Sequence, residues 1–336
     1  MEKYFLGCDW GTSSFRLRLI EVFNQKVIAE VVSSQGIATM HKKWIEVQDD
    51  RQHKTKGDLY REYLQDQINS LSGKCTVNLN ELAIVISGMA SSSIGLEELP
   101  YAKVPFALNG ASATAKRLEA EKNFSHEIIL VSGVCSEADV MRGEETQMIG
   151  LMSLLPGERN NRLSKGIFIL PGTHSKHIYV NEVYLVDFQT FMTGELFNVI
   201  AEHTILKNSV QRHLVDDAEI DVDAFKAGVT RATTNSILNG LFTVRTNQLF
   251  SRFNMQENAS YLSGLLIGEE LKLLLGKSEL PLYLCSGQNL SNFYKLALDS
   301  LNLLSRTSIV PSGLMDQAAV FGQNIIFKRQ ILNVDQ

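Results

Sequence analysis

The first residues with chemistry suited to a phosphate lie within a dozen positions of the N-terminus. An apolar segment runs into Asp9, Gly11, Thr12 and Ser13, and a second apolar segment begins directly afterwards. Two apolar runs joined by a short glycine-containing turn predict a β-hairpin with a polar tip. Backbone N–H groups and hydroxyls bind phosphate oxygens, and a carboxylate can hold the accompanying Mg²⁺ through water. An ordinary hairpin turn has the same composition, so this segment alone leaves both interpretations open.

A second segment with the same order of features lies in the other half of the chain. An apolar run ends at residue 170, Gly172, Thr173 and His174 form a polar turn, and apolar residues then resume. The repeated order of strand, polar turn and strand predicts two domains of similar architecture. Small ligands commonly bind between domains, so we expect the ligand in a cleft between the two.

The polar segment 156–162 (PGERNNR) contains Pro and Gly and has no apolar periodicity, as expected of a linker. It divides a first domain, residues 1–160, from a second domain, residues 161–336. The apolar spacing in the first domain predicts strands over 4–8, 16–22, 27–32, 82–86 and 127–131, and helices over 57–72 and 111–120. Residues 41–56 are polar and predict a solvated loop.

The second domain is predicted to contain more helix than the first. Its strands are expected over residues 166–170, 177–180, 183–188, 282–285 and 307–310. Its helices are expected over 195–206, 223–253 with a break near Thr233, 256–275, from 290 onwards, and 314–328.

Composition excludes several classes of function. The 336 residues carry a net charge of −5, which is not the basic footprint of a nucleic-acid-binding protein. No apolar run approaches the ~20 residues of a membrane span, and the first residues lack the features of a signal peptide. The four cysteines lie far apart, without the spacing of a metal or redox motif. A cytoplasmic protein with reduced cysteines, without membrane or nucleic-acid partners, is therefore expected.

Two other nucleotide-binding classes are excluded by their motifs. The first strand is not followed by the Gly-x-Gly-x-x-Gly turn of a Rossmann dehydrogenase, and the chain has no Walker-type phosphate loop. His174 and His177 could in principle share a metal, but the phosphate-binding interpretation of this turn accounts for more of the surrounding sequence.

Four segments taken in order resemble the sugar-kinase branch of the actin, hexokinase and heat-shock ATPase superfamily. They are 9–13 (DWGTS), 143–147 (GEETQ), 171–176 (PGTHSK) and 286–290 (SGQNL). The longer segments 141–150 (MRGEETQMIG), 192–196 (MTGEL) and 262–268 (LSGLLIG) are similar to the 2-dehydro-3-deoxygalactonokinase family in particular. The resemblance extends from Tyr4 to about Ile326. It implies an α/β fold of two actin-like (ribonuclease H-like) domains with nucleotide and substrate in the cleft between them.

The resemblance implies an ATP-dependent kinase that uses Mg²⁺. Its substrate would be 2-dehydro-3-deoxy-D-galactonate, phosphorylated at the terminal hydroxyl to the 6-phosphate in galactonate breakdown. Asp9 would hold the metal. The remaining nucleotide contacts would come from the first hairpin, the second hairpin and the adenosine loop: Gly11, Thr12, Ser13 and Arg16; Gly172, Thr173 and His174; and Gly287 and Gln288.

The base that deprotonates the sugar hydroxyl would be a carboxylate. Related carbohydrate kinases place an Asp after a Gly at the start of a helix, a position occupied here by Glu144. Because Glu is one methylene longer than Asp, the carboxylate of Glu144 is shifted from the position that an Asp carboxylate would occupy. Either the backbone compensates for this shift or the neighbouring Glu145 is the base. Both acids could instead serve only to stabilise the positive end of the helix.

The substrate is an acid, so its carboxylate calls for a cation, and Arg142 lies beside the expected base. Its planar guanidinium suits a carboxylate, although an ion pair with Glu144 or Glu195 would occupy it equally well. The segment 87–93 (SGMASSS) resembles the sugar-contact loop of related kinases. Further substrate contacts are expected from Ser87, Gly88, Met89, Ser92 and Glu195.

Two rival functions are compatible with the same segments. One is phosphorylation of another sugar or sugar acid, with 2-dehydro-3-deoxygluconate as the nearest candidate. The other is a non-catalytic nucleotide-binding protein on the actin-like fold. A homodimer is also possible on the sequence alone.

Overall fold

The computed structural model describes residues 2–48, 55–155, 165–211, 220–276 and 280–332. Two compact units divide the chain. The first comprises Met1–Asn160, Val183–Leu185 and Asp316–Gln336, and the second comprises Asn161–Glu182 and Val186–Met315. The last helix therefore returns the chain to the first unit, whereas the division expected from sequence placed all residues after 160 in one domain. The expected linker, 156–162, lies outside the described residues.

The strands are short and mostly buried. Their bounds are β1 Tyr4–Trp10, β2 Phe15–Glu21, β3 Lys26–Ser33, β4 Ile84–Gly88, β5 Ala102–Lys103, β6 Phe106–Ala107, β7 Ala115–Leu118, β8 Ile128–Val131, β9 Val134–Cys135, β10 Val140–Met141, β11 Lys165–Leu170, β12 Ser175–Asn181, β13 Tyr184–Phe191, β14 Leu282–Leu284 and β15 Thr307–Ile309.

The helices carry the remaining core. Their bounds are α1 Ile37–Gln48, α2 Lys56–Ser72, α3 Glu144–Leu154, α4 Thr193–His203, α5 Val222–Thr234, α6 Ile237–Leu249, α7 Met255–Leu271, α8 Gln288–Ser300 and α9 Ser312–Leu332. In the part of the chain described, no helix is both long and apolar enough to cross a bilayer.

Both units contain the same strand order. In the first unit the order is β3-β2-β1-β4-β8-β7, with β1 antiparallel to β2 and parallel to β4, and β4 parallel to β8. In the second unit the order β13-β12-β11-β14-β15 repeats it, with β11 antiparallel to β12 and parallel to β14, and β14 parallel to β15. The predicted α/β fold of two actin-like domains is confirmed.

The first strand of the first unit divides its side chains between two layers. Leu6, Cys8 and Trp10 pack in a core with α1 and α2, as the alternation of a strand requires. The intervening residues meet α9, where the rings of Phe5 and Phe327 stack with centroids 4.6 Å apart. Asp9 belongs to this second set, so it points to the α9 side of the sheet.

Helices α3 and α9 pack closely against each other in the first unit. A Cβ atom added at Gly150 would overlap the carbonyl of Ala318, and one added at Gly322 would overlap that of Thr146. Two glycines therefore set the approach of the backbones, which in turn fixes where α3 begins beside the sheet.

Two local predictions from sequence are wrong. The expected helix 111–120 is strand β7, because its residues pair antiparallel with β8 and this pairing overrides the helix propensity of its alanines. The expected loop 41–56 is helical up to residue 48, with α1 covering the first sheet. Residues 49–54 lie outside the described residues, and α2 begins after a capping box formed by Thr55 and Asp58. The strands β5, β6, β9 and β10 were not predicted.

Candidate active site

Asp9 lies at the end of β1, next to the hairpin tip that the sequence singled out. Its backbone pairs with Arg16 on one side and with Ser87 of β4 on the other. Burial raises the pKa of the Asp9 carboxyl, the guanidinium groups of Arg18 and Arg16 lower it, and the Glu144 carboxylate raises it again, for a net rise. Asp9 is thus a carboxylate held in a crowded, charged environment.

The start of helix α1 holds the tip of the first hairpin in place. The backbone N–H groups of Ile37 and Ala38, at the start of α1, donate to the carbonyls of Gly11 and Thr12 at 3.0 and 3.1 Å. Gly36 permits this contact, because a Cβ atom there would overlap the Thr12 carbonyl. Thr12 is half-buried and Ser13 is exposed, so both can be reached by a ligand at the tip.

Arg16 and Arg18 both approach Glu30 of β3. The Arg18 Nε donates to Glu30 Oε2 at 2.6 Å and is buried, whereas the Arg16 Nε lies 3.6 Å from the same oxygen and its side chain is 40% exposed. Arg16 therefore remains accessible beside the hairpin tip. Arg18 was not predicted from sequence and acts on Asp9 through its charge.

Glu144 and Glu145 begin helix α3, but they are placed differently. Glu145 is buried, and its carboxylate accepts hydrogen bonds from the Gly143 N–H at 2.7 Å and from the Thr146 hydroxyl at 2.9 Å. Burial, together with the charge of Glu144, raises the pKa of Glu145 to about 7. Glu145 therefore caps its own helix, while Glu144 is half-buried and interacts with Asp9.

Two glycines bring α3 against the end of β4. Gly88 and Gly143 both have positive φ, at 95° and 107°, a region that side chains disfavour. A Cβ atom at Gly143 would lie 3.3 Å from the Cα of Gly88, and one at Gly88 would lie 2.7 Å from the Trp10 carbonyl. The close approach of these backbones explains why Glu144 and Asp9, 135 residues apart in sequence, share one site.

Arg142 is buried and held by the protein itself. Its two terminal nitrogens donate to the Ser91 hydroxyl at 2.7 Å and to the Leu99 carbonyl at 2.8 Å, and its guanidinium lies 3.9 Å from the ring centre of Tyr101. These two hydrogen bonds engage both terminal nitrogens of Arg142. A substrate carboxylate at Arg142 would need to replace one of these contacts or use Nε, a buried donor without a hydrogen-bond partner in the described part of the chain.

The serine-rich segment 87–93, which begins with the last two residues of β4, is largely occupied by internal hydrogen bonds. The side-chain amide of Gln323 on α9 donates to the Ser87 hydroxyl and to the Cys8 carbonyl, both at 2.9 Å. Ser92 donates to the carbonyl of Met89 at 2.7 Å. Gly88 shapes the backbone, and Met89 is half-buried at the start of a single 3₁₀ turn.

The second hairpin is fixed in the same way as the first, by the helix that comes after its strands. The Glu195 N–H of α4 donates to the Thr173 carbonyl at 3.1 Å. A Cβ atom at Gly194 would lie 2.9 Å from the Gly172 carbonyl, so only glycine allows this packing. His174 Nε2 contacts Glu195 Oε2, which places Glu195 beside the second hairpin, within the second unit.

A cavity of about 320 Å³ opens beside the second hairpin, within the second unit. Apolar side chains and a few amides and hydroxyls form its walls, the combination expected for a small-molecule site. Its lining residues come from the hairpin, α4, α7 and α8: Gly172, Thr173, Thr193, Gly194, Phe197, Asn198, Ser263, Leu266, Ile267, Asn289, Leu290, Phe293 and Tyr294.

The residues expected to contact adenosine lie two positions before the residues of this turn that line the cavity. Gly287 is the N-cap of α8 and has open space around it, and Gln288 is exposed; neither lines the cavity. The next residues, Asn289 and Leu290, do line it. The motif 286–290 thus includes two cavity-lining residues, but they are not the two that the sequence singled out.

The sequence analysis also did not identify the cavity-lining residues of α4 and α7. Five lining residues follow or lie within the segments 192–196 and 262–268, in which only Glu195 was assigned a role from sequence: Phe197, Asn198, Ser263, Leu266 and Ile267. Their helical spacing looked the same as that of core residues, so no local signal separated cavity walls from interior.

The donor set around Asp9 suits Mg²⁺. This cation keeps several waters and takes one or two protein carboxylates together with phosphate oxygens. Asp9 is a single half-buried carboxylate with Glu144 close by, next to a hairpin tip with accessible hydroxyls. Within the described residues no three His, Cys, Asp or Glu side chains converge into a complete protein cage, so water and phosphate would supply the other ligands.

The sequence profile of the 2-keto-3-deoxy-galactonokinase family matches residues 9–316. The chain belongs to this family. The match spans both hairpins, the start of α3 and the cavity helices, so the family predicted from the sequence segments is confirmed.

Named relatives agree with the family assignment. A protein of Rhizobium meliloti, named a probable 2-dehydro-3-deoxygalactonokinase, is 32% identical over 308 residues that cover 89% of this chain and 90% of the relative. The 2-dehydro-3-deoxygalactonokinase of Escherichia coli is 32% identical over 193 residues, covering 56% of this chain and 60% of the relative. A crystal structure from Sinorhizobium meliloti, of a protein assigned the same enzyme name, matches with a TM-score of 0.79 at 30% identity, covering 97% and 96% of the two chains.

Proposed function

We propose that the protein is an ATP-dependent 2-dehydro-3-deoxygalactonokinase. It transfers the γ-phosphoryl group of ATP to the terminal hydroxyl of 2-dehydro-3-deoxy-D-galactonate, giving the 6-phosphate in galactonate catabolism. The observation that carries the proposal is the placement of Glu144 beside Asp9 in a chain that belongs to this kinase family.

Glu144 acts as the general base in the proposed reaction. Its carboxylate accepts the proton of the sugar hydroxyl as the hydroxyl oxygen bonds to the γ-phosphorus and the bond to the β–γ bridging oxygen breaks. Glu145 is less suited to this step, because both of its oxygens already accept hydrogen bonds at the start of α3. Positioning and charge neutralisation provide most of the rate in phosphoryl transfer, so the rigid Gly88–Gly143 contact contributes by fixing the base.

Both hairpins are proposed to bind phosphate. Thr12, Ser13, Arg16 and the local N–H groups of the first hairpin bind the phosphate that is transferred. Gly172, Thr173 and His174 bind the β-phosphate, and the cavity next to them holds the adenosine. The apolar walls of the cavity suit a flat base, and its amides and hydroxyls suit the polar atoms of base and ribose.

Asp9 would hold Mg²⁺ through water. When bound, the cation neutralises charge on the phosphate oxygens. The protein's own part is to keep Asp9 ionised despite its burial, which the neighbouring Arg18 and Arg16 favour by lowering the pKa of the Asp9 carboxyl.

The sugar acid would bind in the first unit, near Gly88, Met89 and Ser92. Arg142 is proposed to orient its carboxylate, using Nε or exchanging the Leu99 carbonyl for the ligand. Because Ser91 and Tyr101 hold the guanidinium in place, little side-chain entropy is lost on binding.

A coupled assay for ADP release tests this proposal. Purified protein is supplied with ATP, Mg²⁺ and one acceptor at a time: 2-dehydro-3-deoxy-D-galactonate, its gluconate-derived C4 epimer, and a neutral aldose. We expect the highest kcat/KM with the galactonate-derived acid and turnover near background with the aldose. A preference for the epimer would reassign the substrate within the same chemistry, and ATP binding without acceptor-dependent ADP release would overturn the kinase assignment.

A further inference from the structure

A buried carboxylate lies behind the wall of the cavity in the second unit and takes no part in the proposed phosphoryl transfer. Glu270, on α7, is 2% exposed. Its Oε2 accepts hydrogen bonds from the Tyr294 hydroxyl at 2.8 Å and from the Thr193 hydroxyl, and its Oε1 lies 3.1 Å from Nε2 of His177. One side chain thus connects α7 with α8, α4 and β12.

The hydrogen bonds continue from Glu270 to the second phosphate hairpin. Tyr294 has one hydroxyl proton, which it gives to Glu270, so the Ser175 hydroxyl donates to the Tyr294 oxygen at 2.8 Å. The Ser175 oxygen then accepts from the Gly172 N–H at 3.3 Å. Burial and the Glu270 carboxylate raise the pKa of Tyr294 well above its ordinary value, which keeps this hydroxyl protonated as a donor.

The ends of this chain of hydrogen bonds are cavity residues. Gly172, Thr193 and Tyr294 all line the cavity, whereas Glu270 does not. The carboxylate therefore sets the spacing between the phosphate hairpin, the start of α4 and the face of α8 without touching a ligand.

A gain in folding stability does not readily explain why a carboxylate is buried at this position. Burying a carboxylate carries a large desolvation cost, and well-packed apolar side chains of similar volume commonly stabilise a core as well or better. The arrangement also leaves Nδ1 of the buried His177 without a hydrogen-bond partner in the described part of the chain. Hydrogen bonds from Tyr294 and Thr193 to one carboxylate nevertheless hold α8 and α4 in place relative to α7, and these three helices line the cavity.

We propose that Glu270 is a positioning residue for nucleotide binding. Acting through Tyr294, Ser175 and Thr193, it holds the second phosphate hairpin at the distance from α8 that a bound nucleotide requires. This inference rests on the proposed function, in which the cavity of the second unit binds ATP and ADP.

The test compares Glu270→Leu and Glu270→Gln with wild type and with the matched control Glu269→Gln. Glu269 is the preceding residue on α7 and pairs with Lys272 at 2.7 Å, away from the hydrogen bonds of Glu270. The dissociation constant of ADP is measured by titration calorimetry without acceptor, KM is measured for ATP and for the sugar acid, and the melting temperature is recorded for each variant.

Glu270→Leu is expected to weaken ADP binding about tenfold or more, which is ~1.4 kcal/mol, and to raise the KM for ATP in parallel. The KM for the sugar acid should stay within about twofold of wild type. The substitution weakens nucleotide binding equally in the ground state and the transition state, so only the KM for ATP should rise. Glu270→Gln keeps an oxygen that accepts from Tyr294 and Thr193, so it should recover ADP binding to within about threefold of wild type. Glu269→Gln should bind ADP as wild type does.

Tyr294→Phe provides a second variant if Glu270→Leu does not fold. It removes the one hydroxyl that joins Ser175 to Glu270 and keeps the ring, and a loss of ADP affinity of about threefold or more is expected. A folded Glu270→Leu or Tyr294→Phe variant with wild-type ADP affinity would overturn the inference, as would an equal rise in KM for both substrates. Failure of wild type to bind ADP would instead contradict the proposed function itself.

Discussion

Asp9 and Glu144 lie close enough in the first unit for the Glu144 carboxylate to raise the pKa of Asp9. One stands at the end of a strand and the other at the start of a helix, and the contact of Gly88 with Gly143 brings them together. Two nearby carboxylates of different surroundings suit different tasks. In this protein we propose that Asp9 binds the metal and that Glu144 accepts the proton of the sugar hydroxyl.

Replacing Asp9 by Asn should reduce kcat by about 100-fold or more while leaving the fold intact, since the loss is one of charge at the transferred phosphate. Steady-state ADP release gives the rate, and circular dichroism the fold. Asp66→Asn, at an exposed position on α2, is the control and should turn over like wild type. Activity of Asp9→Asn within about threefold of wild type at saturating Mg²⁺ would contradict the assigned role.

Replacing Glu144 by Gln should reduce kcat by roughly 100- to 10,000-fold, the range for loss of a general base. ADP affinity should be unchanged, because the cavity lies in the other unit and does not include this residue. The matched change Glu137→Gln, at an exposed residue, should have no effect on turnover. Near-normal turnover by Glu144→Gln would mean that another group accepts the proton.

Glu145 should make the protein less stable as pH rises from about 4.5 to 7. Its pKa in the folded state is about 7, above the 4.5 of an ordinary glutamate, so the folded state binds more protons than the unfolded state across this range. Stability then falls with increasing pH, by on the order of 3 kcal/mol for the full range. Glu145→Gln cannot ionise, so the difference in unfolding free energy between wild type and variant should change by this amount.

Urea titrations of both proteins at several pH values between 4.5 and 8 measure that difference. The variant should gain stability relative to wild type as pH rises. A difference that is constant with pH would show that Glu145 is ionised in the folded state throughout, as expected of a well-solvated helix cap.

The close packing of α3 and α9 predicts that Gly322→Ala destabilises the protein by about 2 kcal/mol or more, the scale of overpacking. The new methyl group would overlap the Thr146 carbonyl. Gly313 lies on the same helix with open space around it, and Gly313→Ala should be neutral or stabilising by up to ~1 kcal/mol. Thermal unfolding compares the two, and equal effects of the two alanines would contradict the close packing of these helices.

Elements with a strong local pattern could be predicted from the sequence. The hairpins of β1–β2 and β11–β12 combine apolar alternation with a polar turn, and these two signals agree along the whole segment. Asp9 and Gly172 could be singled out for the same reason, because a turn between two buried strands places its polar groups at a defined edge.

Elements that depend on distant partners could not be predicted in this way. Residues 115–118 form a strand that pairs with β8, and the four alanines of the expected helix 111–120 give no sign of this pairing. Arg142 donates to Ser91 and Leu99, and Ser87 accepts from Gln323. No local spacing reveals these partners. Glu270 was missed for the same reason, as a buried acid on a helix with no motif of its own.

The most direct test of the proposed kinase activity is the product of a single reaction mixture. Wild-type protein is incubated with ATP, Mg²⁺ and 2-dehydro-3-deoxy-D-galactonate, and phosphorus NMR follows the fate of the γ-phosphoryl group. We predict one phosphate ester on the terminal carbon of the sugar acid for each ADP formed, and none with Glu144→Gln over the same time. Inorganic phosphate in place of the ester, or an ester on a different hydroxyl, would contradict the proposed reaction.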